Sequence, residues 1–358
     1  MTQAIRQFYF LSTPVGPLGS GLGGGVELTV LNLAEEFLRR GHRVKVVAPE
    51  GSQLREVPVI EIAGQLQPTA HTQARDTPII LPVDGVLGQM WEFAYQNQLE
   101  VDLIVNFAFD WLPFYLTPFF QIPVAHFVTM GSLSDALDQA VEQIAQQLPG
   151  RLGAYTQTQA ETFGLGDAFR TLGSAIDLEK YQVCLSPSSY LAWVGRISPE
   201  KGLEDALEAA AIAQVPLRIF GKLENPEYWQ RICRQYPQAE DYYLGFLPTH
   251  ELQQHLGLCR ALLMTPRWVE AFGNVAIEAL ACGVPVIAYN RGGPAEIVQP
   301  GQTGWLVAPD DVGALAAAIQ AIDQLDRQAC RRQAERDYSL AAWGDRFEAW
   351  FEEILSLS

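Results

Sequence analysis

Cysteine is scarce in this 358-residue chain. Its five copies, Cys184, Cys233, Cys259, Cys282 and Cys330, are dispersed, odd in number and never paired as C-x-x-C. That excludes a disulfide framework and the usual structural zinc site, and it points to reduced thiols in a cytoplasmic protein. No apolar run approaches the ~20 residues that span a bilayer, and the charged, interrupted start does not have the form of a signal peptide. Positive charge is short as well: 24 Lys+Arg face 41 Asp+Glu, a net −17, and residues 1–180 hold 10 against 19. No basic run exceeds a pair such as Arg331-Arg332. Proteins that track nucleic acid or dock on anionic lipid carry a basic patch or polybasic segment, so neither partner is expected. Also missing are D-x-D, H-E-x-x-H, a P-loop and the G-x-S-x-G nucleophile elbow. Their absence removes the common metal-bridged and serine-hydrolase readings, and no metal ion or cofactor is expected.

What is present is ordinary globular material, 48% hydrophobic and 18% charged, in a length that suits two domains. Apolar runs alternate with helical periodicity along the whole chain, the pattern of an α/β fold with parallel sheets. Predicted strands cover Gln7–Thr13, Arg43–Ala48, Pro58–Ala63, Thr77–Pro82, Val101–Ala108, Pro123–Met130, Leu152–Thr158 and Phe169–Ile176. Beyond a Ser/Pro-rich linker at Tyr181–Tyr190, the alternation resumes with strands at Leu191–Ile197, Leu217–Gly221, Tyr242–Phe246, Ala261–Thr265, Pro285–Tyr289 and Trp305–Ala308. The expected division is 1–180 and 181–340, each a doubly wound, Rossmann-like domain, followed by a terminal helix at about 341–358 with Trp343, Phe347, Trp350 and Phe351 on one stripe. The oligomeric state is not legible in the sequence.

The stretch that organises the rest is Glu270-Ala271-Phe272-Gly273-Asn274-Val275-Ala276-Ile277-Glu278. Asn274 precedes an apolar run and is expected to cap a helix, with Glu278 about a turn inside and Glu270 on the loop before it. The N–H groups of Gly273, Asn274 and Val275 would then open outward, a ready site for phosphate at the positive end of the helix dipole. Two carboxylates beside such an anion site suit a phosphorylated polyol. In the other reading this is a capped core helix with two incidental glutamates.

The nonapeptide has the form E-x7-E and resembles the motif of retaining glycosyltransferases of the GT-B fold. The flanks Gly283-Val-Pro-Val-Ile-Ala, Gly292-Gly-Pro-Ala-Glu-Ile-Val and Gly301-Gln-Thr-Gly-Trp-Leu-Val-Ala-Pro-Asp resemble family 4 of that group. So does Gly195-Arg196-Ile-Ser-Pro-Glu-Lys201-Gly202, which follows the pattern G-R-x-x-x-x-K-G. The resemblance implies two domains facing across a cleft that closes on a nucleotide-sugar donor. It implies that Glu278 holds ribose hydroxyls, and that Glu270 with the backbone of Ala271, Phe272, Gly273 and Asn274 holds sugar hydroxyls and a phosphate. It also implies that Arg196 and Lys201 neutralise the β-phosphate of the leaving group, whose charge grows in the transition state. Where the family usually has Asn-Gly ahead of Asp177, this chain has Ser174-Ala175.

Three features of the first half remain open between chemistry and packing. Pro14–Gly25 carries six glycines. Gly19, Gly21 and Gly24 formally give G-x-G-x-x-G, the mark of a nicotinamide-dependent dehydrogenase, but Pro14 to Leu18 stand between the strand and the first glycine. Gly24-Gly25-Val26-Glu27 instead resembles the family's G-G-x-E, which would bring Gly24 and Gly25 to the donor phosphate and Glu27 to the acceptor; a plain surface loop is the other reading. The aromatic cluster Phe107, Phe109, Trp111, Phe114, Tyr115, Phe119 and Phe120 is either core or an aromatic-lined acceptor pocket at the strand ends, with Asp110 within it as hydrogen-bond acceptor and Met130 as a further acceptor-site candidate. His126 is either a satisfied strand residue or, by resemblance, a catalytic group near the transferred sugar.

The expected enzyme is a hexosyltransferase, with Arg196, Lys201, Glu270 and His126 as its catalytic set and retention without a covalent nucleophile. The segment Ser12–Glu27 further resembles cyanobacterial family members that glucosylate tetrahydrobiopterin, which implies UDP-glucose as donor and a small pterin as acceptor. A sucrose- or lipid-pathway transferase, a nucleotide-sugar-binding module without turnover, and the dehydrogenase stay as alternatives.

Overall fold

The computed structural model describes residues 4–20, 22, 24–70 and 73–357. In chain order the strands and helices are β1 (Gln7–Leu11), α1 (Gly25–Arg39), β2 (Arg43–Pro49), β3 (Val59–Ile62), α2 (Val86–Gln96), β4 (Leu103–Asn106), α3 (Trp111–Leu116), β5 (Val124–Val128), α4 (Asp135–Gln147), β6 (Leu152–Ala154), α5 (Gln157–Glu161) and β7 (Phe169–Thr171). They continue with β8 (Leu191–Val194), α6 (Leu203–Ala213), β9 (Leu217–Phe220), α7 (Pro226–Gln235), α8 (Ala239–Tyr242), α9 (Thr249–Gly257), β10 (Leu262–Met264), α10 (Asn274–Ala281), β11 (Val286–Tyr289), α11 (Gly293–Ile297), β12 (Gly304–Val307), α12 (Val312–Gln320), α13 (Arg327–Asp337) and α14 (Leu340–Ser356).

Two compact units result: residues 1–174 with 340–358, and residues 175–339. The first holds a seven-stranded sheet in the order β3-β2-β1-β4-β5-β6-β7, the second a five-stranded sheet in the order β12-β11-β10-β8-β9. All pairings are parallel, and most of the crossovers between successive strands are helical. Strand order reverses between β1 and β4 in the first unit and between β8 and β10 in the second. The loops leaving the carboxyl ends of those four strands are therefore where an open α/β sheet receives ligands.

Strands covered on both faces must be apolar throughout, and β4, β5 and β11 are buried at every position. In the first unit α14 lies on α1: Phe351 meets Phe8 at 5.4 Å and Phe37 at 5.3 Å between ring centroids. The indoles of Trp343 and Trp350 donate to Gly173 O and Gly150 O. In the second unit α6 and α12 pack on the sheet through Leu203, Leu207, Ala210, Leu315 and Ile319. None of the described helices is long and apolar enough to cross a membrane.

Several predicted strands are absent or shortened, three of them for a visible reason. Thr77–Pro82 is irregular, with Ile80 and Val83 exposed; Pro78 and Pro82 remove the donors a ladder needs. At Tyr242–Phe246 the chain makes one bridge, Ile219 to Tyr243, after the turn of α8. Beyond Ala154, Thr156 caps α5 by accepting from Gln159 N, so the strand stops at three residues. The stretch read as a linker is bonded to the second unit, Cys184 N to Cys282 O and Ser188 N to Leu258 O.

Candidate functional site

The loop after β8 turns back at Pro199–Lys201 and enters α6 through Gly202, whose φ is +64°. That left-handed turn favours glycine, and a Cβ there would lie 2.2 Å from Thr265 O. Thr265, just past β10, donates its hydroxyl to Gly202 O at 2.7 Å and receives the Trp193 indole N–H at 3.3 Å. The two switch-point loops are thereby locked together. Lys201 consequently reaches the other loop and forms an ion pair with Glu270 through Oε2; their side chains are 19% and 15% exposed. Arg196, from the same β8 loop, pairs with Glu224 and, at 3.1 Å, with Glu200.

Glu270 is held below the usual carboxylate range. Burial pushes it up, and the Lys201 charge and hydrogen bond, the Trp268 indole and the more distant Arg196 together outweigh that. Its backbone is fixed from the other side: Gly293 N donates to Glu270 O at 2.7 Å. A Cβ on Gly293 would come within 2.3 Å of Phe272 O, and one on Gly292 within 2.6 Å of Glu270 N.

The helix start departs from expectation by one position. Gly273, at φ +93°, is the N-cap, and Asn274 is the first helical residue, its Oδ1 buried without a hydrogen-bond partner. A glycine can take the left-handed entry that an asparagine takes at a cost, so it displaces Asn274 from the cap. As the cap and the first two residues of α10, Gly273, Asn274 and Val275 have no intrahelical acceptor for their N–H groups. Phe272 is buried against Tyr338, and Ala271 beside it carries interactions of its own. Glu278, inside α10, receives the Tyr181 hydroxyl at 3.2 Å, and burial pushes its carboxyl up to about 7 against that bond.

In the first unit the proposed residues separate. His126 is wholly buried in β5, with Nδ1 3.2 Å from Asn106 Nδ2, Nε2 2.8 Å from Thr117 Oγ1, and the ring stacked 4.1 Å from Phe114. Burial, then Arg151, pushes its pKa down to about 3. Both ring nitrogens are engaged within the core of the first unit. The strand runs on two residues to Val128, so the strand end lies past the histidine. The Glu27 carboxylate accepts from Gly19 N at 2.8 Å and braces the glycine loop. Gly24, at φ +60°, precedes Gly25 at the start of α1. Phe109, Asp110 and Trp111, leaving the carboxyl end of β4, do come together. They line one pocket with residues including Gln73, Thr77, Ser134 and Leu137. Burial raises the Asp110 carboxyl, against the N–H groups of Leu112 and Trp111. Met130 is tied by its carbonyl to Gln159 Nε2 at 2.9 Å and is not among the pocket residues.

Residues 186–337 match the family described as "Glycosyl transferases group 1", and residues 23–128 match "Glycosyltransferase Family 4". The two matches fall one in each compact unit. It is 28% identical to a D-inositol 3-phosphate glycosyltransferase of Rhodococcus erythropolis, over 94% of this chain and 88% of that protein. It is 29% identical to a glycogen synthase of Mycobacterium tuberculosis, over 63% and 61%. Among solved structures, Anabaena HepE in complex with UDP and glucose superposes with a TM-score of 0.75 at 19% identity, covering 97% of this chain and all of that one. The sucrose-phosphate synthase of Thermosynechococcus elongatus gives 0.74 at 19% identity, over 99% and 100%. The fold is GT-B.

The glycine loop does not have the layout of a dehydrogenase's dinucleotide fingerprint. Thirteen residues separate β1 from α1, where a dinucleotide fingerprint needs a tight turn; Gly21 of that fingerprint lies outside the described residues. Sequence reasoning missed three residues that the site uses: Thr265, Tyr181 and Trp268. Thr265 and Tyr181 act across long sequence separations and left no local signal. Trp268 stands two positions before Glu270 on a loop that bends at Arg267 and Trp268, and both side chains are half-buried.

Proposed function

We propose that this glycosyltransferase moves glucose from UDP-glucose to a hydroxyl of a small soluble acceptor of the pterin class, with retention of configuration. The observation that carries the donor half is the meeting of Lys201, Glu270 and the start of α10 at the switch point of the five-stranded sheet, with Arg196 on the same loop as Lys201. A departing diphosphate gathers negative charge as the glycosidic bond breaks. Lys201, Arg196 and the open N–H groups of α10 stabilise that charge most where it is largest, in the transition state. These groups fill the place a bridging metal takes in other transferases. Glu270 accepts from sugar hydroxyls and Glu278 from the ribose. No side chain gathered there is placed as a covalent nucleophile. The reading is therefore same-face attack through an oxocarbenium-like transition state, the departing phosphate taking the acceptor's proton. HepE, of the same fold, was crystallised with UDP and glucose, which supports the choice of donor.

The acceptor half rests on the pocket of Phe109, Asp110 and Trp111. Two aromatic faces suit a flat heterocycle, and a carboxylate is an acceptor for its N–H or O–H groups. The test is a mass-spectrometric search for glycosylated product with UDP-glucose and a panel of tetrahydrobiopterin, sugar phosphates and lipid acceptors. Glycosylated pterin, diminished by Asp110→Asn, is the expected result. Product on sugar phosphate or lipid alone overturns the acceptor class. No turnover with any donor and acceptor leaves a nucleotide-sugar-binding module.

A further inference from the structure

We propose that Trp268 is a positioning residue of the donor site, holding Glu270 and Lys201 in one arrangement that presents a single carboxylate oxygen to the sugar. The inference rests on the nucleotide-sugar reading of this loop and adds a residue to it.

Along the loop the side chains alternate. Arg267 and Val269 are exposed, whereas Trp268 and Glu270 are half-buried. Arg267 is drawn outward to Glu204 at 3.0 Å and Asp205 at 2.8 Å on α6, and its N–H donates to Glu200 O at 2.9 Å. Trp268 is thereby turned toward Glu270. Its indole N–H donates to Glu270 Oε2 at 3.0 Å, the same oxygen that receives the Lys201 ammonium. That ammonium in turn lies 5.1 Å from the centre of the Trp268 ring, in range of a cation–π contact. Carboxylate, ammonium and indole thus fix one another pairwise. Both donors fall on Oε2, and Oε1 carries no bond among the described residues. Without the indole N–H the carboxylate could rotate and offer both oxygens to Lys201, leaving none for a sugar hydroxyl and holding the ammonium away from the phosphate. The charged groups acting on Glu270 are Lys201 and Arg196, so the indole is its remaining neutral donor.

The test uses the full chain with Trp268→Phe, which keeps a ring face and removes the N–H, and Trp268→Leu, which removes both. Loss of one hydrogen bond to a charged acceptor predicts a fall in kcat of roughly ten-fold for the first variant. Loss of the cation–π contact predicts a further fall of about three-fold for the second. The acid limb of kcat/KM should move to higher pH in both, because the ionised form of Glu270 has lost a donor. A merely structural tryptophan would lower stability and leave that limb in place. An arm independent of turnover follows the indole N–H signal of Trp268 by NMR, assigned by its disappearance in Trp268→Phe. It is expected downfield in the wild type and shifted in Glu270→Gln. Wild-type kcat with an unmoved limb in Trp268→Phe, or an indole signal indifferent to Glu270→Gln, overturns the proposal. Absence of any transfer from UDP-glucose by the wild type is a failure of the donor reading instead, and the NMR arm still decides whether the indole governs the pair.

Discussion

Tyr181 donates its hydroxyl to Glu278 at 3.2 Å, joining the segment before β8 to the helix that opens the donor loop. Burial pushes Glu278 from 4.5 up to about 7, and the Tyr181 bond works against that rise. Between those values the folded chain keeps a proton that the unfolded chain has lost. The contribution of this group to stability therefore falls as pH increases through that window, by up to about 3 kcal/mol. Denaturant midpoints measured from pH 4 to 8 should lose this downward contribution in Glu278→Gln, and carry it to higher pH in Tyr181→Phe. Binding of UDP-glucose should strengthen as Glu278 ionises, and calorimetry across pH 6 to 8 reports it. A Glu278→Gln variant with the wild-type slope would show that this carboxyl does not titrate there.

His126 supplies the opposite slope. Its folded pKa lies near 3, well under the ordinary 6.5, because burial and then Arg151 disfavour the cation. Its stabilisation is complete above pH 6.5 and is lost as pH falls toward 3, where the unfolded chain takes up the proton and the folded chain does not. Between about pH 4.5 and 6.5 the two groups oppose each other, so the wild type should look nearly flat there. His126→Gln should steepen the decline with rising pH, and Glu278→Gln should unmask the rise. His126→Gln also loses the stack on Phe114, for a stability cost of about 1–3 kcal/mol. The turnover of its folded fraction should stay at the wild-type level. A collapse of kcat at full folding would return this histidine to the active site.

The difference between what the residues announced and what they concealed has a physical basis. Strands such as Leu191–Val194 and Val286–Tyr289 are sandwiched between helices, so their whole length must be apolar and they stand out as runs. The carboxylate pair and Lys201 were visible because the glycines around them are dictated by close backbone approach, at Gly202 to Thr265 O and at Gly293 to Phe272 O. The burial of His126 within β5 was not legible, because alternation gives the face of a strand and says nothing of where the strand ends. Thr77–Pro82 has the composition of a strand without the free donors of one. Trp268 acts from an irregular loop, where no period singles out a residue. Asn274 lost the cap to its neighbour because two good capping types stood side by side and only one could enter left-handed without cost.

Gly293→Ala tests that close approach. Its new Cβ would meet Phe272 O at 2.3 Å and Phe272 Cα at 2.4 Å. Neither is the end of a flexible side chain, so the loop carrying Glu270 must shift. The expected cost is about 1–3 kcal/mol of stability, with a rise in donor KM because Glu270 and the start of α10 move together. Gly24→Ala is the comparison: its Cβ would enter open space, and only φ +60° resists it, for about 1 kcal/mol. Thermal melts and donor KM of the two variants decide the matter. If Gly293→Ala is no worse than Gly24→Ala in both, packing of Gly293 on Phe272 does not set the loop.

Lys201→Ala and Glu278→Ala should fail in different ways. Removing Lys201 leaves the Glu270 carboxylate with the Trp268 indole and the more distant Arg196. Its pKa must rise, because the charge that most opposed burial is gone. Breaking a largely buried pair costs up to about 3 kcal/mol of stability. The larger effect is on the reaction, since an ammonium that meets a departing diphosphate matters most when the charge has developed. A fall in kcat of about 10²–10³ is expected, with the affinity for UDP-glucose less affected. Glu278 touches no group that changes charge in the step and is assigned to the ribose. Its removal should raise donor KM by roughly ten-fold and leave kcat near the wild-type value, the pattern of uniform binding. Steady-state kinetics on both variants, with calorimetric titration of UDP-glucose, separates the two. Equal losses of kcat, or a Lys201→Ala variant whose defect lies wholly in KM, would mean that the cation binds the ground state and that the division of labour between Lys201 and Glu278 is not as assigned.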